Sequence, residues 1–276
     1  MTLALVWGNT VVVASHSPND LPSSRIAIVT LVTFFIFFRL RIFDDIKDYE
    51  TDCRIKPSRP LARKLISLLE AKMVAFALAF AEGLLALYLG TNAFCAWGLL
   101  FVYSVLMYRE FFVGRWLRPQ MEFYALTHTW VAVWIGLFIA TALSDTALNM
   151  LPIECVVFSG CNWLVFNVFE FARKTFGSDE ETLPEDPCHE ETYSQRLTPI
   201  GAGLLTLFNA LLAIAGLYWL QPNNLFYIPA VLGVACLALC LIYMGQPHCP
   251  QSRWFRNGMG LFIVLYYLVS GLCLAR

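Results

Sequence analysis

The sequence predicts an all-α, polytopic membrane protein built as one bundle of about nine transmembrane helices. Three observations carry this. Of 276 residues, 58% are hydrophobic and 14% charged, where a soluble domain carries about 25% charge. The apolar residues fall in runs close to the roughly 20 residues a helix needs to cross a bilayer. The basic residues fall almost entirely on one side of the pattern those runs imply.

Residues 1–14 are apolar but lack the basic start of a signal peptide. They are short for a span and read as a first helix that is truncated or only partly embedded; residues 1–24 are the poorly defined part of a single domain, 1–276. The runs that follow predict helices at about 25–43, 73–91, 93–107, 122–143, 148–171, 198–220, 225–244 and 257–275. Nine spans alternate the loops. One side receives 44–72, 108–121, 172–197 and 245–256, the other only 15–24, 92, 144–147 and 221–224. All of the 19 Lys and Arg except Arg25 and Arg276 lie on the long-loop side. The positive-inside rule makes that side cytoplasmic.

Composition excludes several classes. A net charge of −1 gives no footprint for nucleic acid. The nine Cys form no C-x-x-C pair and no Cys/His group at zinc spacing, so they read as apolar fillers.

The chemistry concentrates at helix ends on the long-loop side. In Asp44-Asp-Ile-Lys-Asp-Tyr-Glu-Thr-Asp52, a helical turn of about 100° per residue puts Asp44, Asp45, Asp48 and Asp52 on one quarter of the surface, with Glu50 outside it. Like charges on one face repel unless a cation binds. Mg²⁺ takes a few carboxylates together with water and substrate phosphate oxygens. The plainer reading is a solvated helix end with its aspartates paired to Arg41, Lys47 or Arg54. The next loop brings Arg54, Lys56 and Arg59 among prolines, as phosphate partners or as a positive-inside anchor. A second helix end places Asn167, Glu170 and Lys174 on one face with Arg173 at its margin; an internal Glu170–Lys174 pair is the alternative. The acidic stretch 178–191 reads as a solvated, flexible loop. Tyr103-Ser104 and Arg109 mark a fourth helix end, where Tyr103 equally suits an interfacial anchor. Glu82 and His128 lie within spans and read as a neutral carboxyl and a hydrogen-bonded imidazole inside the bundle.

The segment 44–52, followed by Arg59-Pro60-Leu61, resembles the first aspartate-rich motif and the Arg-Pro-Leu of the UbiA superfamily of intramembrane prenyltransferases, with Asp44 where Asn is usual. Tyr103-Ser104 with Arg109, and Thr192-Tyr-Ser-Gln-Arg-Leu-Thr-Pro199, resemble further family segments. The resemblance runs over about 25–275 and implies a UbiA-like bundle binding an isoprenoid diphosphate through Mg²⁺ between two aspartate-rich motifs. It implies metal at Asp44, Asp45, Asp48 and Asp52 and diphosphate at Arg59 and Lys174, with Arg54, Lys56, Arg109 and Arg173 as second choices. The second motif departs from the family's D-x-x-x-D: Asn167, Glu170, Arg173 and Lys174 resemble a divergent N-x-x-E-x-x-R-K branch, leaving Asn167 and Glu170 as second-site ligands. The implied partners are a prenyl diphosphate, an unspecified acceptor and the bilayer. A terpene cyclase of the same superfamily, a non-catalytic family member and a transporter or cation channel are the rivals.

Overall fold

The structure is a computed structural model that describes residues 1–17, 21–182, 191–220 and 227–274. Link 221–224, Arg276 and the 183–190 part of the acidic loop lie outside them. The described elements are helical: α1 (Thr2–His16), α2 (Ser23–Lys47), α3 (Tyr49–Ile55), α4 (Leu68–Leu89), α5 (Thr91–Tyr108), α6 (Gly114–Leu117), α7 (Met121–Thr129), α8 (Val131–Ser144), α9 (Ile153–Arg173), α10 (Tyr193–Leu220), α11 (Tyr227–Gly245) and α12 (Cys249–Leu274). Among these residues, 8 helices, counting α7 and α8 as one, are long and apolar enough to cross a membrane. The protein is an integral, multi-pass membrane protein.

Sequence neighbours pack side by side: α2 on α4, α4 on α5, α5 on α8, and then α9, α10, α11 and α12 in turn. α1 closes the ring against α12, α2, α8 and α9. It is short for a span, at 15 residues. It is nonetheless a bundle helix: Leu5, Val6, Val12 and Val13 are buried, and the Asn9 carboxamide accepts from Asn162, whose oxygen accepts the Tyr267 hydroxyl. In a bilayer such polar contacts hold helices together, because lipid tails satisfy apolar side chains as well as another helix does.

Most boundaries differ from the apolar runs for local reasons. α4 starts at Leu68, ahead of its apolar run, because Ser67 and Glu70 form a reciprocal capping box. α10 starts at Tyr193 and breaks at Thr198 (φ 66°, ψ 160°), since Pro199 disfavours helical backbone before it. α12 starts eight residues before its apolar run, at Cys249, whose amide donates to Asp179.

Two buried-charge expectations resolve differently. Glu82 does not stand alone inside the bundle: it is ion-paired with Arg39, both fully buried. His128 is hydrogen-bonded as expected, Nδ1 donating to the Tyr124 carbonyl at 2.8 Å.

Candidate active site

The backbone ladder runs through the acidic segment almost unbroken. The Asp48 amide donates to the Asp44 carbonyl (2.9 Å) and the Asp52 amide to the Asp48 carbonyl (2.8 Å), although Asp48 itself (φ −90°, ψ 4°) is a slight hitch between α2 and α3. The four aspartates therefore line one ledge. Glu50 is exposed.

Asp44, Asp45 and Asp52 each lie within ion-pair distance of a base, while Asp48 acts on Lys47 and Arg118 through its charge. Arg41 lies 2.8 Å and Arg59 3.6 Å from Asp45 Oδ1. Arg59 Nη1 lies 2.5 Å from Asp52 Oδ2, and Lys47 Nζ 3.6 Å from Asp44 Oδ1. The plainer pairing with Arg41 and Lys47 is thus present, but the third base is Arg59 rather than Arg54, which is exposed at the end of α3. Pro57 and Pro60 around Arg59 keep the loop out of helix, and it folds back toward Asp52.

Lys47 also donates to the Tyr124 hydroxyl at 2.7 Å, joining the ledge to α7. One turn on, the His128 ring stacks on Tyr124 at 3.8 Å. α7 also packs on α9, where the Thr129 hydroxyl donates to Asn167. α2 and α9 barely touch along their backbones; the Phe37 and Phe166 rings bridge them, stacked at 5.9 Å. Asp44 lies seven residues beyond Phe37, about 20° away on the same face, and Glu170 one turn beyond Phe166, about 40° away. By helix periodicity Asp44 and Glu170 thus fall on the faces of α2 and α9 that carry this aromatic pair.

The second helix end is divided. Glu170 is gripped by Arg173 through two bonds of 2.6 and 2.8 Å, so the internal pair is with Arg173 rather than Lys174. Asn167 is fully buried, its oxygen accepting the Thr129 hydroxyl and its nitrogen donating to Asn209 at 3.1 Å. Both amide atoms are engaged in holding α7, α9 and α10, and the structure does not bring Asn167 to the ledge. The fourth helix end is likewise internal: Tyr103 donates to the Thr127 carbonyl, and Ser104 accepts from Arg39.

Beside the ledge, a cleft of about 350 Å³ is lined by Arg109, Glu110, Phe112, Gly114, Arg115 and Arg118. Residues 110–112 all have positive φ, and a Cβ at Gly114 would stand 2.1 Å from Glu110 Oε2. Glu110 forks onto Arg118 at 2.9 and 2.7 Å. Those hydrogen bonds push the Arg118 guanidinium's pKa up, and Asp48 adds to the same push from nearby. Glu110 and Arg118 carried no sequence motif; a lone Glu beside a Gly and three Arg was the only signal.

The acidic stretch is not a free solvated loop over its described part. Glu180 accepts from Arg256, Ser252 and the Gly177 amide, Asp179 from the Cys249 amide, and Glu181 from Thr192 and Ser194. Burial pushes the Glu180 carboxyl up, but the Arg256, Ser252 and Gly177 hydrogen bonds outweigh it and hold it well below the usual carboxylate range.

The donor set suits Mg²⁺. Asp45 Oδ1 is buried and makes no hydrogen bond of good geometry, even with the Arg41 nitrogen so near. A desolvated oxygen of this kind calls for a cation. Among the described residues no three carboxylate, imidazole or thiolate groups converge as a closed metal cage. The arrangement fits a hard ion held by one or two carboxylates and completed by phosphate and water.

No family model matches the sequence, and no curated protein does. Solved structures do match in fold. One, described as a digeranylgeranylglyceryl phosphate synthase in membranes, aligns with a TM-score of 0.68 at 16% identity over 98% of this chain and 93% of its own. A UbiA homologue from Aeropyrum pernix K1, in its apo form, aligns with a TM-score of 0.66 at 16% identity over 97% of this chain and 96% of its own. The chain has the UbiA fold.

Proposed function

We propose that this chain is a membrane-embedded prenyltransferase that ionises a prenyl diphosphate with Mg²⁺ and passes the prenyl group to an acceptor. The observation that carries this is the acidic ledge of α2 and α3 with Arg59 folded onto it, on a helix whose Phe37 stacks on Phe166 of α9; in this reading the Glu170 end of α9 completes the site. One of the two structural neighbours with this fold is described as a digeranylgeranylglyceryl phosphate synthase in membranes.

In this reading one or two of the ledge carboxylates Asp44, Asp45, Asp48 and Asp52 hold the ion, with water and phosphate completing its shell, and Glu170 is the second-site carboxylate. When bound, Mg²⁺ supplies Lewis-acid stabilisation of the departing diphosphate. Arg59 moves from carboxylate to phosphate as the substrate arrives, because a diphosphate offers the guanidinium more charge and a two-nitrogen grip where Asp52 takes only Nη1. Lys174 holds the far side of the diphosphate. Arg54, Lys56, Arg109 and Arg173 are outer cations of the same mouth. The aromatic residues below, Phe37, Phe166, Tyr124 and Tyr103, exclude water from the prenyl group and face a developing allylic cation with π-electrons. The ledge and its basic loops face the cytoplasm.

A transporter is disfavoured by Arg39 and Glu82, which neutralise each other deep in the bundle instead of lining an ion path. The test is incubation of the purified protein with prenyl diphosphates of several lengths, with and without candidate acceptors, followed by mass spectrometry. Mg²⁺-dependent diphosphate release with a prenylated product is expected. Release with a hydrocarbon product and no acceptor would reassign the chain as a cyclase, and no release from any chain length would overturn the reading.

A further inference from the structure

Arg39 and Glu82 are both at 0% exposure, in mid-helix on α2 and α4. Arg39 Nε donates to both Glu82 oxygens (2.9 and 3.1 Å), Nη2 to Oε2 (2.9 Å) and Nη1 to Ser104 Oγ on α5 (2.8 Å). Trp97 of α5 adds a fourth hydrogen bond to Glu82 (3.1 Å). The guanidinium also lies over the Phe43 and Phe101 rings, 5.3 and 5.1 Å from their centroids. Three helices are tied at one point by directional bonds.

Such a knot does something that apolar packing in a bilayer does not. Lipid tails are as apolar as Leu, so an apolar helix has little reason to prefer one rotation about its axis. A forked guanidinium–carboxylate pair is lost if either helix turns. The acids sit on the opposite side of the same helix: Asp44, Asp48 and Asp45 lie about 140°, 180° and 240° around from Arg39. Phe37, about 160° around on that far side, is the residue that meets Phe166 of α9.

We infer that the buried Arg39–Glu82 pair fixes the rotation of α2 and so aims the acidic ledge at α9: Arg39 and Glu82 are positioning residues. The ledge's role as a metal site rests on the proposed function; the rotation does not.

The test separates the two. Cys53 and Cys95, both exposed, are first replaced by Ser. Asp48→Cys or Glu50→Cys is then introduced as a reporter, and labelling by a membrane-impermeant maleimide is read at that position by mass spectrometry. With the pair intact, position 50 labels faster than position 48, as their exposures differ. In Arg39→Leu/Glu82→Leu, which replaces a buried pair by apolar volume and keeps the fold, the ratio shifts toward one. An unchanged ratio in a folded double variant overturns the inference. Should that variant not fold, Ser104→Ala with Trp97→Phe removes two of the four bonding partners' contacts; a smaller shift in the same direction is expected, and none overturns it. In parallel, Mn²⁺ binding followed by electron paramagnetic resonance, with Asp48 and Glu50 native, weakens by roughly 10-fold or more in the double variant, as when a ligand's supporting shell is lost. If the ratio shifts but Mn²⁺ binding never depends on Asp48, the metal reading falls and the positioning role stands.

Discussion

Replacing Arg59 separates what the ledge does at rest from what it does with substrate. Arg59 Nη1 lies 2.5 Å from Asp52 and 3.6 Å from Asp45, with side-chain exposures of 27%, 8% and 20%. Breaking a fully buried pair costs about 3–5 kcal/mol because a charge is stranded, whereas an exposed pair is worth about 0–1 kcal/mol. This pair lies between those limits, so Arg59→Met is expected to cost about 2 kcal/mol in EDTA. At about 2–4 °C per kcal/mol for a chain of this size, the Tm falls by roughly 4–8 °C. A cation at 100 times its Kd returns about 2.7 kcal/mol to a protein that binds it only when folded. That gain reaches both proteins, so the deficit shrinks in saturating Mg²⁺ only by what the variant gains in affinity, and it does gain because no guanidinium competes for Asp45 and Asp52. Turnover moves the other way: KM for the prenyl diphosphate rises, since Arg59 no longer meets phosphate. Thermal scans in detergent at several rates, in EDTA and in Mg²⁺, together with steady-state kinetics, read both effects. An equal Tm deficit with and without Mg²⁺, or an unchanged KM, would refute the reasoning.

Asp48→Ala should abolish turnover at normal stability, while Glu50→Gln, on the exposed side of the same segment, should match wild type; equal losses in a rate assay would contradict the ledge. Glu170→Gln should raise the Mg²⁺ concentration for half-maximal rate, and Lys174→Met should raise KM for the diphosphate instead, so identical kinetic signatures would count against their separate roles. Asn167→Val, by stranding Thr129 and Asn209, should cost about 1–3 kcal/mol without moving the Mg²⁺ midpoint; a moved midpoint would return Asn167 to the metal. Glu180 has a depressed carboxyl pKa in the folded state, so its contribution is fully present above the ordinary carboxylate range and is lost only as pH falls through the lowered value. Glu180→Gln should then lower Tm by the same amount at pH 7 and pH 5, with the gap closing only in stronger acid; closure by pH 5 would show that Arg256 does not hold it.

The spans and the ledge were legible because both follow from one-dimensional periodicity. Apolar run length gives the helix, and 100° steps give the acid quarter; the structure keeps that ladder through Asp48. What was not legible depends on partners distant in sequence. Arg39 is 43 residues from Glu82 and 65 from Ser104, and taken alone Arg39 was just another basic residue on the long-loop side. Asn167 matched a ligand pattern on its own helix, but Thr129, 38 residues away, takes its oxygen. The acidic stretch 178–191 looked solvated because nothing local opposes its charge; Arg256, 76 residues on, does. The early start of α4 could have been read from Ser67-Leu-Leu-Glu70, a capping box ahead of an apolar run.

The altered second helix end follows from charge arrangement. The α2 wall carries Asp44, Asp45, Asp48 and Asp52 against Arg41, Lys47 and Arg59 and stays net negative. The α9 wall carries Glu170 in an ion pair with Arg173, with Lys174 next along the chain. A site with aspartates on both walls would need cations on both to hold a diphosphate. In the proposed reading only the α2 wall needs one. In the proposed reading the α2 wall would hold a divalent ion that screens the near phosphate, and Lys174 would meet the far one. The diphosphate would then leave toward α9, and the prenyl group would stay by Tyr124 and the Phe37–Phe166 pair, where aromatic faces rather than water would meet the cation.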